Sequence, residues 1–329
     1  MPEVLAITSH LLSTLIIRQT PMQRIVSLLP SAAEIICLVG GQPEMVARSH
    51  EDDFPCTIQH LPILTRAKTT FTTSADIDHQ VSEVLSQGQS LYDLDVAQLK
   101  ALEPTVIVTQ DLCNVCSIDL ISVQRVANTM NPPPSIVTLN PTSLDEVMES
   151  ITTVGAAIGH AEEASKVRND LEARINKCLK TVKDVKKENK EGYVPKKVMF
   201  FEWTDPIYPG GHWTPEMIEM AGGVHPINSA TCPSRRVSVE DVVAIDADVL
   251  IICPCGLDLE ATRKEYKLLT EKDWFRQMAD RAITIALVDG NQMFNRSGPR
   301  LVECTEWLVM LLHNRPEFEP ASFPWERIK

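Results

Sequence analysis

Two stretches of this chain repeat one pattern of strand, helix and strand, and that repetition constrains the fold more than any other feature. Arg24-Ile25-Val26-Ser27-Leu28-Leu29 reads as a buried strand, followed by a short helix that stops at Gly40-Gly41. Lys197-Val198-Met199-Phe200-Phe201 reads as a second such strand, and the helix after its loop stops at Gly222-Gly223. Each half then passes through a helix into another apolar strand: Asp95 to Leu102 into Thr105 to Val108, and Val239 to Ala244 into Asp248 to Ile252. Cysteines follow both of these strands, Cys113 and Cys116 in one half, Cys253 and Cys255 in the other. Apolar strands alternating with helices predict an α/β chain. Two lobes built alike, with polar and sulfur chemistry at corresponding strand ends, predict a ligand cleft between them.

The chain has 329 residues, enough for two domains, and its 44% hydrophobic content allows a full core. A net charge of −13 argues against nucleic acid, because phosphate binding relies on clustered Lys and Arg. The one basic run, Lys177 to Lys190, is interleaved with Asp184 and Glu188 and reads as a solvated helix face. Nine cysteines spread over so long a chain do not make a disulfide scaffold; they read as mostly reduced, which favours a cytoplasmic location. Within residues 1–22, Leu11 to Ile17 is apolar but too short to span a membrane. Glu3 is the only early charge, so the segment reads first as an extension, with a targeting segment as the lesser alternative. No other stretch approaches transmembrane length, and no membrane insertion is expected.

The expected organisation is an N-terminal extension over 1–22, an α/β lobe over 23–142, a helical segment over 143–192 and a second α/β lobe over 193–329. Ser31 with Glu34, and Ser143 with Glu146, have capping-box spacing. Ser49 to Ala75 is rich in Thr and Pro and reads as loop. One helix is expected to end near Ile158, interrupted by Gly159, and a second to run from Ala161 to about Lys187. Its roughly 27 residues would span about 40 Å, enough for a rigid strut between the lobes. In the second lobe Thr214 reads as an N-cap before Pro215, Ile283 to Val288 as a strand, and Pro299 to His313 as a closing helix.

In open α/β sheets ligands sit outside the carboxyl ends of the strands. That rule selects Ser31, the loop with His50, Glu51 and Asp52, and the loop with Asp111, Cys113 and Cys116. From the second half it selects Glu202, Trp203 and Asp205, leading to His212 and Trp213, and then Cys255, to which Phe294 and Arg296 add. Cys113-x-x-Cys116 suits a metal or ligand contact, a redox pair or plain packing. His50 and His212 read as surface hydrogen-bonding residues or as ligands; with Cys113, Cys116 and Cys255 they form a candidate metal set. Trp203, Trp213 and Phe294 offer a flat apolar wall for a planar ligand, or plugs for the lobes. Arg235, Arg236 and Arg296 suit acidic groups of a ligand or salt bridges between lobes. No phosphate loop, nucleophile elbow or paired-His helix motif is present in the sequence.

At these motifs the chain resembles the helical-backbone (class III) substrate-binding proteins, and within them the branch similar to cobalamin-binding proteins. The resemblance rests on Arg24 to Ile36, Ser49 to Pro55, Gln110 to Cys116, Glu202 to Pro206, Gly211 to Met217 and Asp289 to Asn291, and spans about residues 23 to 315. It implies two Rossmann-like lobes joined by one long backbone helix, with limited hinge motion and a ligand in the cleft. The leading expectation is a cytoplasmic, non-enzymatic binding protein for a cobalamin-like or other metal-containing small molecule. A zinc- or iron-dependent, hydrolase-like enzyme using the cleft His, Cys and acidic residues is the alternative, and a redox-sensing module a lesser one. In secreted relatives such a protein delivers cargo to a membrane transporter; this chain shows no convincing signal peptide or lipid-anchor cysteine, so a transporter partner is doubtful.

Overall fold

The computed structural model describes residues 22–70, 72–87, 89–111, 118, 120–189 and 192–329. The expected extension lies almost wholly outside the described residues, and so do Cys113 and Cys116. The first lobe begins with β1 (Ile25–Ser27) and α1 (Pro30–Leu38), then β2 (Met45–Ala47), β3 (Thr65–Ala67), α2 (Ser74–Ser86), β4 (Tyr92–Leu94), α3 (Val96–Ala101), β5 (Val106–Thr109), α4 (Leu120–Ala127) and β6 (Ser135–Thr138). Strands β2, β1, β5 and β6 form one parallel sheet in that order. Strands β3 and β4 pair separately as an antiparallel ladder, with Thr65 opposite Leu94 and Ala67 opposite Tyr92. The three-residue length of β3 is why Ser49 to Ala75 looks like featureless loop in the sequence, since alternation needs a longer run to be visible.

Two antiparallel helices follow, α5 (Leu144–Ile158) and the 28-residue α6 (Ala161–Glu188). Gly159 makes the turn between them in the left-handed conformation, φ 85°, which glycine adopts without a Cβ penalty. The buried residues of α6 are Ala164, Leu171, Ile175, Cys178, Val182 and Val185, a narrow stripe at helical spacing. The stripe packs against α5 on one side and the last long helix of the chain on the other.

The second lobe contains β7 (Val198–Thr204), β8 (Ile207–Pro209), α7 (Thr214–Met220), α8 (Val239–Ala244), β9 (Val249–Ile252), α9 (Leu259–Thr270), α10 (Asp273–Arg281), β10 (Thr284–Val288), α11 (Leu301–His313) and β11 (Trp325–Arg327). Its sheet runs β11, β10, β9, β7, β8; the three middle strands are parallel and each edge strand is antiparallel to its neighbour. Val249 to Ile252 and Thr284 to Val288 are buried throughout, the continuous apolar run that a sheet covered on both faces requires.

One apolar cluster joins the lobes. It runs from Ile25 and Val108 through Ile151, Leu171 and Ile175 of the two central helices to Phe200, Met217 and Leu308. The long helix is therefore welded into both cores. Two helix starts differ from expectation. Leu29, not Ser31, is the N-cap of α1 and makes no side-chain cap; Ser31 lies inside the helix. Likewise Trp213 precedes α7, and Thr214 is its first residue.

The α5–α6 approach is close at Gly155, where a Cβ would stand 2.3 Å from the Ala164 Cβ. Gly155→Ala is expected to lower stability by about 1–3 kcal/mol by overpacking, in spite of alanine's better helix propensity. Urea unfolding checks this, and adding Ala164→Gly should recover most of the loss.

Candidate functional site

Loops at the carboxyl ends of the parallel strands in the two sheets meet, and they make the cleft. On the first lobe the loop after β2 is organised by buried Arg48. Its guanidinium donates to the carbonyls of Ser49 (3.1 Å), Asp52 (3.2 Å) and Gln59 (3.0 Å). Asp52 is fully buried and accepts from the Ser49 amide (3.1 Å) and hydroxyl (2.5 Å). Burial pushes its carboxyl above the usual aspartate range, and it braces the loop from inside.

His50 is held at the edge of this loop. Its Nδ1 lies 2.7 Å from the Thr65 hydroxyl of β3, and its ring packs against Tyr92 of β4, centroids 5.4 Å apart. The Nε2 is buried and has no hydrogen-bond partner among the described residues; the Glu51 carboxylate stands 3.8 Å away. Burial, followed by the charge of Arg48, lowers the His50 pKa. The imidazole is thus neutral near pH 7 with one nitrogen oriented by a hydroxyl, the arrangement that prepares a histidine to ligate a metal.

On the second lobe Glu202 accepts from the Ser234 hydroxyl (2.5 Å) and the Gly211 amide (3.1 Å). A Cβ at Gly211 would sit 2.3 Å from the Ser234 nitrogen, so this crossing needs glycine. His212 adopts φ 50° and is clamped by two backbone bonds, its amide donating to Cys232 (2.6 Å) and its carbonyl accepting from Thr231 (2.8 Å). Its ring stacks on Trp213, and burial lowers its pKa. Cys255 is half-buried, with its amide donating to the Glu202 carbonyl at 2.9 Å.

The expected aromatic wall is divided. Phe294 is 1% exposed and packs among Phe200, Trp307 and Phe323, while Trp213 is buried with its indole N–H donating to the Phe294 carbonyl at 2.6 Å. These two rings are core, filling the space beneath the loops of the second lobe. Trp203 remains half-buried at the cleft and donates across it to the Ser74 carbonyl, 3.2 Å away. Asp205 pairs with Lys272 of its own lobe at 2.7 Å. Arg235 and Arg236 are exposed and form no ion pair among the described residues. Asp111 is exposed, its amide donating to the Asn140 side chain at 2.7 Å. Among the described residues no group of three or more His, Cys, Asp and Glu side chains is placed to hold a bare metal ion.

Arg296 does most to join the rims. Its side chain is only 6% exposed and reaches Asp53 (2.8 Å), Glu34 (3.2 Å) and the Glu51 carbonyl (3.3 Å), all on the first lobe, as well as Asn291 (3.2 Å). Asn291 also donates to Asp53 at 2.8 Å, and the Ser31 and Ser297 hydroxyls meet at 3.3 Å. Ser31 and Glu34, which look like a capping box in the sequence, are therefore inter-lobe contacts. The other latch is Ser74 of α2 with Thr204 and Glu265. Sequence reasoning places Asp53 within a candidate loop without singling it out, and overlooks Ser74 and Glu265. The signal for Glu265 is its place between Thr262 and Leu269 on the buried stripe of α9.

Burial raises the Glu34 carboxyl from 4.5 to about 7, against the pull of Arg296 and Arg300. Its Oε2 has no hydrogen-bond partner among the described residues, which disfavours the charged form. An acid whose pKa is raised by folding binds more protons folded than unfolded between the two values. Stability should therefore fall as pH rises from about 4.5 to about 7. Urea midpoints across this window should slope less steeply in Glu34→Gln, which keeps the amide permanently neutral.

No family model matches this chain. It is similar to a vitamin B12-binding protein of Pectobacterium atrosepticum, 21% identical over 283 residues and covering 85% of each chain. It is also similar to an uncharacterized ABC transporter substrate-binding lipoprotein of Bacillus subtilis, 24% identical over 292 residues, 87% of this chain and 79% of that one. Among solved structures, a periplasmic heme-binding protein of Pseudomonas aeruginosa superposes with a TM-score of 0.68 at 16% identity, covering 93% of this chain and 97% of the other. A periplasmic vitamin B12-binding protein of Vibrio cholerae gives 0.61 at 18%, with 89% and 98% covered. These likenesses correct the cytoplasmic expectation. Two of the matched proteins are periplasmic and one is an ABC transporter lipoprotein, which overturns that expectation and does not support the doubt about a transporter partner.

Proposed function

We propose, from the helical-backbone substrate-binding fold that this chain has, that it is a non-enzymatic binding protein whose cargo is a metal-containing tetrapyrrole held between the lobes. One observation carries the reading: a neutral, half-buried imidazole at the cleft, His50, with Nδ1 fixed by Thr65 and a buried Nε2 that is unpartnered among the described residues. Histidine is a common axial ligand of haem iron, and imidazole also suits other first-row metals. A metal already carried in a macrocycle needs few further protein donors.

The remaining contacts follow from the cleft chemistry. Trp203 supplies apolar surface, and His212, clamped on the opposite rim, supplies a second imidazole or a hydrogen bond. The Pectobacterium, Pseudomonas and Vibrio proteins named above are binders of vitamin B12 or heme, which supports the class of cargo without choosing between corrin and porphyrin. The Bacillus relative supports delivery to an ABC transporter as the next step.

The test is a visible-spectrum titration of the full chain with hemin and, separately, with aquocobalamin. A shifted absorbance band and micromolar or tighter binding of one of them is expected, with the shift lost in His50→Ala. No spectral change with either compound would end the tetrapyrrole reading. Because burial holds the His50 pKa below 6.5, the ligated spectrum should persist at that pH and disappear only on further acidification, when the imidazole protonates.

A further inference from the structure

We infer that helix α2 is a gate over the cleft, held shut by the buried carboxylate of Glu265 on the opposite lobe. This rests on the cleft being a binding site but not on the identity of its cargo. Helix α2 is poorly seated on its own lobe. Of its thirteen residues only Ser74 is buried, and what buries Ser74 is the second lobe. The helix is carried by the β3–β4 ladder, whose base also holds His50 through Thr65 and Tyr92. Its first turn reaches over to the carboxyl end of β7, beside Trp203 and Thr204.

The contacts that dock it are hydrogen bonds. Glu265 of α9, 3% exposed, accepts from the Ser74 amide at 3.2 Å and the Ser74 hydroxyl at 2.6 Å. The Thr204 hydroxyl donates to the same carboxylate at 2.7 Å, and the Trp203 indole N–H donates to the Ser74 carbonyl. Among the described residues Glu265 has no Lys, Arg or His partner within ion-pair distance. Most of what satisfies this buried carboxylate is therefore supplied by the gate itself. With the helix docked the group is dry and hydrogen-bonded; with the helix away it must be wetted. Each arrangement is self-consistent, and an intermediate one leaves a buried charge without donors. That makes two discrete states of the contact.

The gate also moves as a unit, because it is stapled internally. The Thr73 hydroxyl caps the helix by accepting from the Asp76 amide at 3.2 Å. The Gln80 side chain brackets Thr70, accepting from its amide at 2.9 Å and donating to its carbonyl at 2.8 Å. Apolar burial contributes little to either position, so the hydrogen bonds to Glu265 decide which one is occupied.

The experiment compares the full chain with Glu265→Ala and Ser74→Ala by two measurements that need no cargo. One is hydrogen exchange of the α2 amides. The other is peptide-resolved alkylation of Cys255 in the cleft by N-ethylmaleimide, with exposed Cys56 as the internal reference. Loss of charge-assisted hydrogen bonds should speed both by about tenfold, while exchange in β7 and β9 stays unchanged. Unchanged exchange in α2 overturns the latch. Faster exchange in α2 with unchanged Cys255 alkylation overturns the gate. Ser74→Ala alters only the gate side, so it decides the matter if Glu265→Ala disturbs the second lobe. Hemin release measured on the same variants should quicken in parallel. Absence of any hemin binding would remove the porphyrin cargo and leave the gate standing on the alkylation result.

Discussion

The guanidinium of Arg296 is buried where the two lobes meet, and the geometry of the cleft follows from the need to satisfy it. A charge taken out of water is tolerated only with paired and hydrogen-bonded partners. Arg296 finds them by drawing Glu34, Asp53 and the Glu51 carbonyl from the first lobe toward Asn291 of its own. Nearby, Arg300 lies over the Phe54 ring at 4.2 Å. The loop after β2, which also carries His50, is thereby set against the loop after β10.

The two sides of the molecule use different physics. At the back, α5, α6 and α11 join both lobes through one apolar cluster, which is stable because its surface has no better option than to remain buried. At the front the lobes meet through carboxylates, hydroxyls, an amide and a guanidinium. Such groups exchange their partners for water at modest net cost. A rigid back with a polar, wettable front allows entry to the cleft without disturbing the core. This is the mechanical property that a binding protein of this fold requires.

Much of the fold is legible in the sequence. Val106 to Val108 and Val249 to Ile252 are apolar without interruption, α5 has its Ser143 cap and its closing Gly159, and α6 shows its stripe from Ala164 to Val185, about six turns. Strands of three residues, such as β3 and β8, fall below what periodicity can register. The site is far less legible. Ser31-x-x-Glu34 has the spacing of a capping box, yet the same spacing presents two polar groups from one helical turn to the other lobe. Trp213 and Phe294 stand in loop sequence, and only packing reveals that their rings point into the core. Composition also misled: many unpaired cysteines favoured the cytoplasm, whereas the likeness to periplasmic and lipoprotein binders points outside it.

By itself the sequence determined what depends on neighbours along the chain: the duplicated α/β pattern, the length of the connecting helix, and the positions of turns. These are local consequences of side-chain period, glycine freedom and apolar content. Only the tertiary structure decided which polar residues face one another. Glu34 and Arg296 are separated by more than two hundred and sixty positions, and so are Ser31 and Ser297. No spacing rule relates residues so far apart, because their meeting is set by how two separately built lobes are held by the helix between them.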